Sequence, residues 1–296
     1  MELRHLRYFV AVAEEGSLTQ AADRRLHTAQ PSLSRQIRDL ESEVGVALLT
    51  RNVRGVELTP AGWAFLDHAR LALSQVEAAG EAARRVARAA KPAFELGFLT
   101  GQELEWLPAA MRILGDQLPN IDITVSSNYS PDLADALMSG KLDAAFMRRE
   151  AHATDLEFVR VATEPLVVLM PADHRLASHA AIDPREFTGE SFISVSNIAP
   201  MLRIAIDDHL AALGLDIRPS HEVHNLTMAM SLIASTHSVA LAPTYAQNYL
   251  PSTVTTRPLQ GKPPTIDLVV GHHKANTSPI LRLFVSRLHE LVDSEP

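Results

Sequence analysis

Cysteine is absent from all 296 residues. That excludes disulfides, cysteine-based zinc sites and thiol nucleophiles, and it fits a reducing compartment. No stretch approaches the roughly 18 apolar residues of a membrane span. The opening Met1-Glu2-Leu3-Arg4-His5-Leu6-Arg7 carries no apolar segment of the secretory kind. The expectation is a cytoplasmic protein that does not engage a membrane. A basic excess is also lacking, for the formal net charge is −8. Over residues 1–58, eight arginines are balanced by eight acids, so the acidic surplus lies further along. Affinity for a polyanion must then rest on a few placed arginines and on dimerisation, and must fall steeply with salt.

Catalytic signatures are missing as well. There is no Gly-x-Ser-x-Gly elbow, no phosphate-cradling loop and no Gly-x-Gly-x-x-Gly after a strand. Of the 13 histidines, His221 and His224 are three apart and His272 and His273 adjacent, but neither pair has a third ligand at suitable spacing. Asp207-Asp208 reads as the solvated face of a helix. Neither a metal, a cofactor nor an enzymatic activity is expected.

What is present is organised around residues 19–46. Leu18, Ala21, Ala22 and Leu26 fall at helical spacing, then His27-Thr28 breaks the pattern. Leu33, Ile37, Leu40 and Val44 resume it at steps of four, three and four, which places them on one buried stripe. Pro31 suits a first helical turn, where its missing N–H is not needed. The opposite face carries Gln30, Ser32, Ser34, Arg35 and Arg38, donors of the type that reach base edges and phosphates. Two short helices with a tight turn and donors on the second make a helix-turn-helix. Such a polar face can also be merely solvated, so the neighbours carry weight.

Residues 3–14 read as a preceding helix on Leu3, Leu6, Phe9, Val10 and Ala13. Gly16 stops it, and Ser17 caps the next. Leu48-Leu49-Thr50-Arg51 and Gly55-Val56-Glu57-Leu58 flank a polar tip and read as a β-hairpin wing. Arg51 and Arg54 stand where a wing meets phosphates or the minor groove. Thr59-Pro60 then opens a helix without proline until Pro92, striped by Trp63, Leu66, Ala69, Leu73, Val76, Gly80, Ala83 and Ala87. A helix of this length needs a second surface to bury its stripe, and a partner subunit's helix is the expected solution.

Met1–Phe9, Ala21-Ala22, Gln30-Pro31-Ser32-Leu33-Ser34, Ile37, Leu40-Glu41, Gly45, Leu48-Leu49, Arg51 and Leu58-Thr59-Pro60-Ala61-Gly62 resemble the signature of LysR-type transcriptional regulators. The resemblance implies an all-α winged helix-turn-helix over 1–58 and a linker and dimerisation helix over 59–90. It further implies a two-lobed α/β effector domain of periplasmic-binding-protein type over 91–296. Double-stranded operator DNA, a small-molecule effector, a homodimer joined into a homotetramer, and RNA polymerase are the partners it implies. On this basis the expected DNA contacts are Thr28, Gln30, Pro31, Ser32, Ser34, Arg35, Arg38, Arg51 and Arg54.

The C-terminal part also reads as two lobes on its own pattern. Strands over 94–98, 121–125 and 144–147 alternate with helices over 104–118 and 131–139, which indicates βα crossovers and a largely parallel sheet. A second set follows, with strands at 165–171, 192–195 and 239–242 and helices at 200–213 and 226–235. Strand 266–270 and helix 279–291 return to the first lobe, so lobe I comprises about 91–161 and 266–296, and lobe II about 162–265.

Ligands of such folds bind in the crevice at the C-terminal ends of the strands. That rule selects Thr100, Gly101, Ser126, Ser127, Asn128, Arg148, Ser196 and Asn197, whose hydroxyls, amides and backbone N–H groups suit a carboxylate or hydroxylated ligand. The family's effector loops carry over to Thr100, Ser126, Ser127, Ser196 and Asn197, and Thr227 can face the cleft from its helix start. Arg148 can pair an effector carboxylate or serve a structural ion pair, and both readings stand. Ser130 reads as a helix cap. Ala234–Val239 lacks the glycines that relatives carry at this turn. Similarity to activators of aromatic-acid catabolism implies an aromatic or dienoic acid effector. The rival classes are a ligand-binding protein whose N-terminal helices serve only assembly, and an α/β enzyme with a helical oligomerisation segment.

Overall fold

The computed structural model describes residues 1–52, 55–88 and 91–292, and it forms two compact units that divide between Ala87 and Arg88. In the first unit α1 (Leu3–Glu15) ends at Gly16, whose left-handed backbone lets its N–H reach the Val12 carbonyl. Ser17 caps α2 (Leu18–Gln20) through the Gln20 N–H. This helix runs on into a wider, π-helical turn over Ala21–Leu26, closed by the Thr28 N–H to the Ala22 carbonyl at 3.0 Å. His27 makes the tight turn in left-handed conformation at φ 48°. Then α3 (Gln30–Val44) begins with Pro31 in its first turn.

Leu33, Ile37 and Leu40 of α3 are buried with Phe9, Val10 and Val12 of α1 in one core. The wing is the antiparallel pair β1 (Leu49–Asn52) and β2 (Gly55–Leu58). Glu41 fastens it to α3, its Oε1 accepting the N–H groups of Leu48 and Leu49 at 2.8 and 3.0 Å.

α4 (Pro60–Arg88) starts under a Thr59 cap, with the Gly62 N–H 2.9 Å from the Thr59 hydroxyl. Gly62 is required there, since a Cβ would lie 2.0 Å from the Leu48 carbonyl oxygen. The expected single stripe of α4 divides. Leu66 and Ala69 are buried in the winged-helix core with Leu73 packed against it, and Phe65 meets Phe9 edge-on at 5.1 Å. Trp63 and Val76 are exposed. The first turns therefore bury their apolar side on their own domain rather than reserving it for a partner, because α1 lies within reach.

The second unit is built on one nine-stranded sheet. β3 (Ala93–Leu99) runs parallel to β4 (Asp122–Asn128) and β5 (Ala144–Met147), with α5 (Glu103–Ile113) and α6 (Ser130–Met138) as the crossovers. The long strand β6 (Leu156–Pro171) passes from this lobe into the other. There it pairs with β9 (Val239–Pro243) and β10 (Val254–Pro258), while β7 (Phe192–Val195) joins β9 to β8 (His221–Val223). α7 (Pro200–Ala212) and α8 (Leu226–Thr236) cover the second lobe. β11 (Thr265–His273) returns beside β6, and α9 (Pro279–Ser286) and α10 (His289–Val292) close the first lobe.

The structure differs from the sequence expectations in three elements. The strand expected at 165–171 is only the far half of β6, whose first half alternates too weakly to read. The sheet is mixed rather than largely parallel, since both crossing strands β6 and β11 are antiparallel to their neighbours. The helix expected to reach 118 stops at Ile113, whose carbonyl takes a hydrogen bond from Arg287 at 2.5 Å. Each lobe has its own core, with Phe94, Phe98 and Phe146 in the first and Val168, Phe187 and Phe192 in the second. The glycine-free turn after α8 is made by His237 at φ 51°, the conformation glycine adopts most readily.

Candidate DNA-reading face and ligand cavity

The outward face of α3 presents Pro31, Ser32, Arg35 and Arg38, all exposed. Thr28 and Gln30 are half-buried at its entrance. Ser34 is buried, which differs from its expected position among the exposed donors. It follows Leu33 around the helix and lies nearer the core side than Arg35. Arg38 Nε donates to the Ser34 carbonyl at 3.3 Å, and Arg35 Nε lies 3.9 Å from the Asp39 carboxylate. The backbone of Arg51 lies on β1 opposite Val56. Arg54 lies outside the described residues. The geometry is an exposed helix with two exposed guanidinium groups and a two-stranded wing.

The second unit holds a cavity of about 800 Å³, its open mouth included. It lies where β3, β5, β7, β8 and β9 end, walled by Leu99, Leu169, Ile193, Val195, Leu202 and Leu241 among others. Both lobes contribute. The starts of three helices also reach it: Tyr129 and Ser130 at α6, Ala199 and Met201 at α7, Asn225 and Leu226 at α8. α8 is capped by Asn225, whose Oδ1 accepts the Met228 N–H at 2.7 Å. α7 has no side-chain cap, so the first N–H groups after Pro200 have no partner within their own helix.

Arg148 lines this cavity with its charge already engaged. It is paired with Glu164, and its Nη1 donates to the Ile266 carbonyl at 3.4 Å. Gln102 Nε2 donates to both Glu164 oxygens at 3.2 and 3.1 Å. Arg148, Glu164 and Gln102 are all buried. The cluster sits where β6 and β11 cross between the lobes. Ser130 does not cap α6; its hydroxyl accepts the Arg148 backbone N–H at 2.9 Å.

The other expected effector residues are distributed unevenly. Ser196 stands just behind the lining, its Oγ 2.8 Å from Nδ1 of the lining residue His224. Gly101, at φ 96°, lies under the Tyr245 ring, where a Cβ would come within 2.7 Å. Thr100, Asn128, Asn197 and Thr227 are exposed, each within two residues of a lining position. Ser126 and Ser127 are exposed on the edge strand β4, where the Ser127 hydroxyl donates to Thr100 at 3.2 Å.

Tyrosines and one carboxylate were not anticipated. The Tyr129 hydroxyl donates to the His224 carbonyl at 2.6 Å, and the Tyr249 hydroxyl donates to the Gly101 carbonyl at 2.8 Å, so each ties one lobe to the other. Burial raises the Tyr129 phenol and pushes that of Tyr245 up to about 12, which keeps both as neutral donors. Glu150, also in the wall, has its carboxyl raised by burial. The one sequence signal was position, since Tyr129 directly follows the end of β4 and Glu150 stands three residues beyond the end of β5. Among the described residues no three His, Cys, Asp or Glu side chains group as a metal site, and no helix is long and apolar enough to cross a membrane.

Residues 3–63 match the family model for the bacterial regulatory helix-turn-helix protein, lysR family, and residues 87–293 that for the LysR substrate binding domain. The Hca operon transcriptional activator HcaR of Escherichia coli (strain K12) is 34% identical over 99% of both chains. The structure of full-length BenM superposes with a TM-score of 0.60 at 28% identity, covering 99% of this chain and 97% of that one. Full-length CbnR in complex with its target DNA gives 0.58 at 25% identity, covering 99% and 100%. The family is one of DNA-binding regulators, not enzymes. With an exposed helix beside a wing in its first unit and a two-lobed cavity in its second, the chain belongs to the LysR-type transcriptional regulators.

Proposed function

We propose that this regulator responds to a small aromatic or dienoic carboxylic acid held in the cavity between its lobes. The observation that carries this reading is an apolar cavity onto which three helix N-termini open, α7 without a cap. Apolar walls favour a ring or a conjugated chain. Helix N-termini offer unsatisfied N–H groups and the positive end of the helix dipole to a carboxylate. Arg148 stands in the cavity wall with its guanidinium held by Glu164. The relative HcaR is named as an operon transcriptional activator, which supports control of an operon.

In this reading residues 1–58 bind operator DNA, 59–90 dimerise and 91–296 sense the effector. Gln30, Ser32, Arg35 and Arg38 read bases and backbone, with Thr28 and Pro31 at the helix entrance and Arg51 and Arg54 on the wing. Leu71, exposed on the side of α4 away from Leu66 and Ala69, and Trp63, exposed at the flank of that side, supply an apolar dimer seam. The dimers pair into a homotetramer in the cytoplasm, and effector binding changes the spacing of the DNA heads and the contact with RNA polymerase.

The test is isothermal titration of the full-length protein with aromatic acids and with their primary amides. Acids bind and amides do not. Equal affinity for both would remove the carboxylate from the reading. A bulky apolar residue at Thr100, next to the lining residue Leu99, should abolish the effector response and spare DNA binding.

A further inference from the structure

Glu150 is a carboxylate in the wall of a mostly apolar cavity, and the Arg148–Glu164 ion pair beside it does not use it. The residue is 5% exposed and its Oε1 is buried with no hydrogen-bond partner among the described residues. The nearby cation, Arg148, turns its guanidinium to Glu164 and the Ile266 carbonyl instead. The other charges that act on Glu150 are His152, which lowers its carboxyl, and Asp135, which raises it, and those two face each other at 3.7 Å. Desolvation outweighs both. A buried acceptor left empty is costly unless something fills it.

We propose that Glu150 is a specificity determinant that accepts a hydrogen bond from a hydroxyl group of the effector, so that the preferred acid carries a hydroxyl on its ring or chain. This rests on the organic-acid reading of the same cavity and adds a second recognised group to it. A hydroxyl fits better than an ammonium. The helix N-termini that attract a carboxylate repel a cation in the same confined space, and a neutral donor avoids desolvating a second charge. The ligand then spans two poles, its carboxylate at the α7 and α8 starts and its hydroxyl at Glu150 beyond the end of β5. A site built around a buried polar group discriminates strongly against the analogue that leaves that group unpaired.

Full-length wild type and Glu150→Leu are titrated calorimetrically with 3-phenylpropionate and with its 2-, 3- and 4-hydroxyphenyl counterparts. In the wild type at least one hydroxylated acid binds about tenfold or more tightly than the parent. In E150L that ratio falls to near unity while the parent acid still binds. A wild type that binds the parent but prefers no hydroxylated isomer overturns the role of Glu150 and leaves the acid reading intact. So does a preference that survives unchanged in E150L. Failure of all four acids to bind overturns the organic-acid reading, and this inference with it. Should E150L not fold, the near-isosteric E150Q is read instead; its amide oxygen is the weaker acceptor, and the ratio falls several-fold. An unaltered ratio there overturns the proposal.

Discussion

Arg70 of α4 donates both Nε and Nη2 to the same oxygen of Glu14 at the end of α1, at 3.1 and 2.7 Å. The other Glu14 oxygen pairs with Arg25. One carboxylate thus joins three helices, and Arg70, followed by Arg25, holds it below the ordinary range against a smaller effect of burial. A carboxylate that is more acidic when folded stabilises the fold above its unfolded value of 4.5, and that stability is lost as pH falls through the folded value. Glu14→Gln should cost about 1 kcal/mol at neutral pH. The gap between wild-type and variant melting temperatures should close as the pH is lowered below the ordinary carboxylate range. A gap independent of pH would mean that the charge of Glu14 contributes nothing.

The buried pair Arg148–Glu164 should behave differently from a surface bridge. Arg148→Met or Glu164→Met alone leaves a buried charge without its partner and should destabilise the effector domain by about 3–5 kcal/mol. The double replacement should recover much of that loss. Denaturant melts of the three variants measure the coupling, and simple additivity would refute it.

His237 occupies a left-handed backbone position that glycine takes without strain. Its nearest charged partner is Asp173 at 4.0 Å, with both side chains largely exposed, so little is lost with the imidazole. His237→Gly should raise stability by about 0.5–1 kcal/mol, whereas a β-branched Val should lower it by about 1–2. Thermal melts of the two variants should move in opposite directions.

On the reading helix, Arg35→Ala should abolish specific operator binding in a gel-shift titration with the fold intact. Replacing an arginine that contacts only phosphate should weaken all sequences alike and reduce the salt slope by about one. Asp39, 3.9 Å from Arg35, places a negative charge on the same face. Asp39→Asn should therefore raise non-specific DNA affinity, most at low salt. No gain at low salt would show that Asp39 does not face the phosphates.

Much of the first unit was legible because its determinants are local. Gly16, Ser17, Pro31, Thr59 and Pro60 end or start helices through backbone conformation or a single cap, and the Leu33–Ile37–Leu40 stripe points inward at any packing angle. Ser34 was not legible, since its depth depends on how closely α1 and α2 approach the flank of α3. The division of the α4 stripe is of the same kind: Leu66 and Ala69 are indistinguishable from Trp63 by spacing, and the position of the winged-helix core selects between them.

In the second unit, strand and helix alternation determined the two-lobed α/β class and the general location of the cavity, because apolar runs and turns encode both. Only the tertiary structure decided which strand-end residues line it. Arg148 is turned to Glu164 by a strand that crosses between lobes, 16 residues along the chain. The Ser130 hydroxyl accepts the backbone N–H of Arg148 instead of a helix N–H, and Glu150 lies in a wall assembled from both lobes. A side chain's partner and its desolvation are properties of the space around it, and in this domain that space is assembled from segments remote in sequence.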